Sequence, residues 1–185
     1  MNQHRKRIIV TGASGVGKTT LVEKLAPHLS LSVIPELGRA ICKQLGYERV
    51  GDIPDQEDFK QQVLEAQIAT EDTLGDFISD RSTIDCWVLW QRWNICKAMT
   101  YDTEAYYEKS RAQAQRYTQI IYIPPMFAVQ DDGFRWTDTD YQKQIDRLVK
   151  ATIHEWQLSE RTYMVQSDDP ALRLEEVFNW LEERS

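Results

Sequence analysis

The segment Gly12-Ala13-Ser14-Gly15-Val16-Gly17-Lys18-Thr19 constrains this chain more than any other. It matches G-x-x-x-x-G-K-[ST] and stands between an apolar run, Arg7 to Thr11, and a helix-like run opening at Thr20-Leu21-Val22. A strand, a glycine loop and a helix in that order make a phosphate cradle. The glycines let the backbone curl so that successive N–H groups face one anion. The helix N-terminus adds the positive end of its dipole. Lys18 then reaches the β- and γ-phosphates, and the Thr19 hydroxyl is placed to ligate magnesium. A glycine-rich turn that binds nothing would not need three glycines, a lysine and a threonine in register. The expectation is ATP with Mg2+, held by residues Gly12 to Thr19 together with Thr20.

A chain of 185 residues suits one α/β domain with a full core. Acidic residues outnumber basic ones, 29 to 22, for a net charge of -7. A protein that coats nucleic acid has the opposite balance, so no nucleic-acid partner is expected. An acidic chain that binds polyphosphate must gather its few cations in one place. Cys42, Cys86 and Cys96 have no metal-binding spacing and read as reduced thiols of a cytoplasmic protein. His4, His28 and His154 have no partner spacing for a metal or a triad. The basic start, Met1 to Arg7, lacks the apolar stretch of a signal peptide, and no run is long enough to span a membrane.

Strand-like and helix-like segments alternate, which predicts a parallel sheet covered on both faces. Strands are expected at Arg7 to Thr11, Leu31 to Ile34, Asp76 to Asp80, Gln119 to Ile123 and Thr162 to Gln166. Helices are expected from Lys18 to Leu29 and from Glu36 to Leu45, with Leu37, Ala40, Ile41 and Leu45 on one side. A long helix, Gln56 to Leu74, presents Phe59, Val63, Ala66 and Ile68, and Gly75 suits its C-cap. Further helices are Thr83 to Met99, Tyr101 to Gln115, Thr139 to Leu158 and Pro170 to Arg184. Trp87, Trp90 and Trp93 share a face of the Thr83 helix, a stripe that reads chiefly as core packing and otherwise as a wall for a flat ring.

Several residues fall at the carboxyl ends of strands, where open parallel sheets bind ligands. Asp80 ends the third strand as a second magnesium carboxylate would, although Asp80 or Ser82 could equally cap the next helix. Arg81 puts a fixed cation beside it. Glu36 follows the second strand, with Arg39 three residues on: a substrate-binding pair or an exposed ion pair. Asp131-Asp132-Gly133-Phe134-Arg135 suits either a mobile lid or a solvated turn. Ser167-Asp168-Asp169-Pro170 and Arg173 read as a base-side loop or simply as a helix start.

Four pieces together carry a resemblance: GASGVGKTTL (12–21), PELGRAICKQLG (35–46), FISDRSTID (77–85) and DDGFR (131–135). The chain resembles the P-loop nucleoside and nucleotide kinase group, and within it ribosylnicotinamide-kinase domains and the small AAA-labelled ATPases related to them. The resemblance implies a three-layer P-loop kinase fold, with five parallel strands in the order 2-3-1-4-5 and a lid around 126–138. It implies that Glu36 and Arg39 face the phosphoryl acceptor, that Asp80 serves magnesium or acts as base, and that Arg135 covers the phosphates. Ser79-Asp80-Arg81-Ser82 is more similar to the signature of deoxynucleoside and thymidylate kinases.

The function expected is ATP-dependent phosphoryl transfer to a nucleoside- or nucleotide-like small molecule, with Lys18, Asp80, Arg81 and Arg135 catalytic. A regulatory ATPase that switches on a protein partner is the alternative. It would use the loops at 47–54 and 126–138. A GTPase is disfavoured, since no Asn-Lys-x-Asp motif occurs. A nucleic-acid end kinase is disfavoured by the charge.

Overall fold

β1 (Arg7–Thr11) is the axis of the molecule, and every one of its residues is buried. β3 (Phe77–Asp80) and β4 (Gln119–Tyr122) flank it in parallel and are buried throughout. β2 (Ser32–Ile34) and β5 (Thr162–Met164) close the edges, giving the order β2-β3-β1-β4-β5 that the resemblance implied. The near-continuous apolar run Ile8-Ile9-Val10 is what a strand covered on both faces requires. The edge strands are shorter and leave Val33 and Met164 exposed. This architecture comes from a computed structural model that describes residues 5–94, 97–126 and 139–184.

The helices are α1 (Lys18–Leu29), α2 (Leu37–Gln44), α3 (Gln56–Leu74), α4 (Thr83–Trp93), α5 (Thr100–Ala114), α6 (Thr139–Glu155) and α7 (Pro170–Glu182). α1 packs on β1, β2, β3 and α7, while α4 packs with α3, α5 and α6 in a second helical layer. α3 has the predicted bounds because both ends are capped. The Asp55 carboxylate accepts the Asp58 N–H at 2.9 Å, and Gly75 takes φ +76° to let the chain leave.

Two helices end earlier than their apolar pattern suggests. α4 stops at Trp93 instead of Met99, because Asn94 folds back on Trp90 O (2.7 Å) and its own carbonyl takes the N–H groups of Lys97 and Ala98. α6 stops at Glu155 instead of Leu158. There Gln157 turns left-handed at φ +58° and the Leu158 N–H closes on Ile153 O at 2.9 Å, a Schellman-type ending.

The inward faces of two helices also differ from the pattern. On α3 the buried stripe runs through Lys60, Leu64, Gln67 and Glu71, with Phe59, while Ala66 and Ile68 are only partly covered. Gln67 and Glu71 are drawn in by hydrogen bonds to other elements that an apolar count does not see. On α2 only Cys42 is fully buried, in a small second core with Ile53 and Phe59, and Ala40 and Leu45 are exposed. Trp87 and Trp90 belong to the main core, as expected. The Trp90 ring stacks on Tyr106 with centroids 4.1 Å apart, an arrangement worth roughly 0.5–1.5 kcal/mol beyond area burial.

Candidate functional site

The glycine loop joins β1 to α1 and is clamped from behind. Gly12 has φ +141°, and a Cβ there would lie 2.4 Å from the Ile123 carbonyl oxygen, so only glycine lets the loop pass so close to the chain after β4. Gly17 has φ +91° and caps α1. Behind it, Arg173 of α7 donates to Val16 O (2.8 Å) and to Ser167 O (3.3 Å). Gln142 of α6 donates to Ser14 O at 3.1 Å. Two outward carbonyls are thus tied down, which fixes the curl that turns loop amides toward an anion. Arg173 is thereby a support of the loop. Asp169 is the N-cap of α7, accepting from Ala171 and Leu172.

Lys18 is 4% exposed and donates to Gly12 O (2.9 Å) and Ala13 O (2.7 Å). Burial, then the nearby Arg81 charge, lower its pKa to about 8. A polyphosphate in the loop would restore the charge balance that burial removes. One residue on, the Thr19 hydroxyl donates to Asp80 Oδ2 at 2.5 Å. The register explains the meeting: Asp80 lies opposite Val10 at the end of β1, and α1 starts directly above that edge. The other carboxylate oxygen, Asp80 Oδ1, is buried without a hydrogen-bond partner. A hydroxyl and a carboxylate with an unused buried lone pair fit a magnesium ion, which takes hard oxygen ligands and keeps several waters. Ser82, not Asp80, caps α4, accepting the Ile84 N–H at 3.2 Å.

Arg81 organises the other side of the edge. It sits at φ +86°, a left-handed position that costs a non-glycine residue roughly 1–2 kcal/mol. Its N–H continues the ladder to Val10 O (3.0 Å), and that twist sends its guanidinium away from the strand. Nε meets Glu36 Oε1 at 2.6 Å, Nη1 meets Asp85 Oδ1 at 3.4 Å, and Nη2 reaches the Ser14 hydroxyl at 3.5 Å. Burial works against the Arg81 charge, but Glu36, Asp85 and Asp80 outweigh it and hold its pKa above the ordinary value. Burial raises the Asp85 pKa, opposed by Arg81 and Lys18. Arg39 stands 3.6 Å from Glu36, so the expected pair forms and is joined by Arg81. Arg135 and the Asp-Gly turn of the expected lid lie outside the described residues, as does Cys96.

A pocket of about 360 Å³ opens beside Ser14. Glu36, Arg39, Arg81 and Asp85 form its polar end. Phe59 and Val63 of α3, Leu89 and Trp93 of α4, Tyr106 of α5 and Tyr141 of α6 form apolar walls. Of the tryptophan stripe, therefore, only Trp93 reaches the pocket. Arg92 lies over both Trp93 and Tyr141, at 5.2 and 5.6 Å from their ring centres. Lys60, Gln56 and Lys97 also line the space. No group of three or more His, Cys, Asp or Glu side chains that could hold a metal occurs among the described residues. Nor is any described helix long and apolar enough to cross a membrane.

Asp85, Lys60, Gln142 and Tyr141 do not stand out in the sequence. Asp85 carried a signal, four residues after Arg81 and three after the N-cap Ser82. Lys60 carried another, a cation on the inward stripe of α3. Gln142 and Tyr141 follow the expected lid in sequence and come to the loop only through the packing of α6.

The fold is shared with solved structures. The NadR protein in complex with NR superposes with a TM-score of 0.80 at 20% identity, over 98% of this chain and 52% of that one. This chain thus spans about half the length of NadR. Deoxyadenosine kinase from M. mycoides matches with a TM-score of 0.69 at 14% identity, over 96% of this chain and 99% of that one. Shikimate kinase from Aquifex aeolicus matches with a TM-score of 0.62 at 16% identity, over 95% and 96%. None of the curated proteins matches this chain in sequence. The family model described as "AAA domain" matches residues 7–169, from β1 to the N-cap of α7, and the chain belongs to that family, with a P-loop kinase-like fold.

Proposed function

We propose that this chain is an ATP-dependent small-molecule kinase, a single catalytic unit that transfers the γ-phosphoryl group to a hydroxyl of a nucleoside- or nucleotide-like acceptor. The observation that carries this reading is the walled pocket joined to the glycine loop at Ser14, with Glu36, Arg39, Arg81 and Asp85 at the shared end. An ATPase that only switches needs the loop but not a second chamber of this size. The fold of small-molecule kinases supports the same reading.

The loop amides and Lys18 hold the triphosphate, with Lys18 leaving the carbonyls of Gly12 and Ala13 for the β- and γ-phosphates. Thr19 and Asp80 would hold magnesium, which supplies charge neutralisation across the phosphates. Glu36 lines the pocket and Asp80 does not, so Glu36 is the better placed group to accept the hydroxyl proton. Arg81 orients Glu36, and its cation faces the charge that spreads over the transferring group. Asp85 holds Arg81 in place. Arg135, from the segment around 126–138, completes the covering of the phosphates. Catalysis of this kind is mainly positioning and electrostatics. The reading is tested by ATP turnover with and without a panel of nucleosides. An acceptor-dependent rate that falls roughly 10²-fold or more in Glu36→Gln supports it. Slow hydrolysis indifferent to every acceptor and to Glu36→Gln would leave the switch reading in its place.

A further inference from the structure

The pocket is not electrically uniform. At the loop end two carboxylates, Glu36 and Asp85, meet two guanidiniums, Arg39 and Arg81. Away from it stand two ammonium groups, Lys60 and Lys97, with no carboxylate among the lining residues on their side. Lys60 is 6% exposed. Its Nζ has only neutral partners among the described residues, Gln56 Oε1 at 2.9 Å and Gln56 O at 3.4 Å. The two lysines sense each other as like charges. A chain with net charge -7 has many carboxylates to pair with a buried ammonium, and none of the described ones is placed here.

Burial without a counter-charge works against the ammonium. A lysine with its stem along an apolar wall normally extends its head to water. Lys60 does not, and lines a cavity instead. The neighbouring walls are Phe59 and Tyr106, which exclude water and so strengthen any charge pairing inside.

We propose that the Lys60 end of the pocket receives an oxyanion, carboxylate or phosphate, carried by the acceptor at the end remote from the hydroxyl that is phosphorylated. The inference rests on the kinase reading for the word acceptor, but the anion receptor itself is a binding property. It makes Lys60 a specificity determinant: anionic acceptors are selected over neutral ones, and a cationic ring is rejected. The apolar middle of the pocket takes the flat body of the molecule, and the Glu36–Arg39–Arg81–Asp85 end takes its hydroxyls.

Calorimetry on the full chain with four ribosides of similar size tests this: uridine, orotidine, 5-(phosphonomethyl)uridine and nicotinamide riboside. Orotidine carries a carboxylate on the ring and the phosphonomethyl compound a phosphate-like oxyanion there, both on the ring and not on the ribose hydroxyls. At least one of the two should bind tenfold or more tighter than uridine, and nicotinamide riboside should be the weakest. In Lys60→Met the anion preference should collapse to within about twofold, and in Lys60→Arg it should persist. Thermal unfolding of each variant establishes that it is folded, and Lys60→Gln substitutes if the methionine variant is not. Uridine binding as tightly as both anions, or an anion preference that survives Lys60→Met, overturns the proposal. If the Lys60-dependent preference appears in binding but no riboside is ever phosphorylated, the anion receptor stands and the kinase reading falls. If instead all four ribosides bind equally well and are phosphorylated at equal rates, the kinase reading stands and the anion receptor falls.

Discussion

Glu71 and Asp80 are both buried within this fold, and their surroundings are opposite. Glu71, in the last turn of α3, is fully covered and fully paired. It accepts from Gln67 (2.8 Å), Gln113 (2.8 Å) and the Tyr117 hydroxyl (2.9 Å). Gln67 continues to Ser79 of β3 at 3.0 Å, so the network joins α3, α5 and the sheet. Asp80, at the end of that same strand, pairs one oxygen with Thr19 and leaves the other buried and unused. A polar group left unpaired inside a protein costs about 1–3 kcal/mol, so it persists where something outside the chain completes it. The closed cluster holds the structure together. The open one, on the function proposed above, is where a ligand completes the chain.

Activity should suffer most at the open end. Lys18→Ala should lower acceptor-dependent turnover by roughly 10²–10³-fold, because the loop then lacks its one mobile phosphate donor. Steady-state kinetics with the unfolding midpoint alongside are the check. Near-normal turnover would remove the loop from the mechanism.

Asp80→Asn and Glu71→Leu then divide the two clusters directly. Asp80→Asn should lose roughly 10²-fold in kcat while the urea midpoint holds or rises. Glu71→Leu strands three donors and should cost about 3 kcal/mol of stability, with kcat per folded molecule little changed. The opposite pattern in either variant would erase the division between them.

Lys60 extends the contrast to pH. Burial holds its pKa at about 8, against 10.5 when free. Below pH 8 it is charged in both the folded and the unfolded chain, and its desolvation weighs fully on folding. Between about 8 and 10.5 the folded chain loses the proton first, so the penalty fades as pH rises. Lys60→Met should therefore stabilise the protein by roughly 3 kcal/mol at pH 7, and the gain should vanish by about pH 10.5. Urea titrations of both proteins across that range provide the comparison. A gain that does not change with pH would show that the ammonium is already compensated.

A minor change is expected remote from both clusters. Asp55→Ala removes the cap of α3 and should cost about 1 kcal/mol without altering kcat, as read from denaturant unfolding and initial rates.

The glycine loop and the strands were legible because local constraints write them, while the order of the strands came from the resemblance alone. A backbone position where a Cβ would lie 2.4 Å from a neighbouring carbonyl oxygen admits only glycine, and a strand covered on both faces must be an apolar run. Asp80, Arg81, Glu36 and Arg39 were legible as candidates from their position after strands, and the structure brings Glu36, Arg39 and Arg81 into contact and Asp80 onto Thr19. The pocket beyond them was much less so. Its walls come from α2, α3, α4, α5 and α6, and its membership depends on helix rotations that a spacing pattern does not resolve. On α3 the apolar count selected Ala66 and Ile68, whereas Gln67 and Glu71 turn inward to meet polar partners from other elements and Lys60 turns inward onto Gln56 of its own helix. Asp85 looked like one more acid in a helix first turn until the left-handed Arg81 swung its guanidinium onto it.

If the pocket beside Ser14 holds a phosphoryl acceptor, ATP consumption and acceptor phosphorylation must be one event. Phosphorus NMR of a reaction containing the protein, ATP, magnesium and a riboside panel observes both at once. A new phosphomonoester resonance should grow in an amount equal to the ADP formed, and it should be absent with Lys18→Ala. ADP accompanied by inorganic phosphate alone, whatever riboside is supplied, would contradict that role for the pocket.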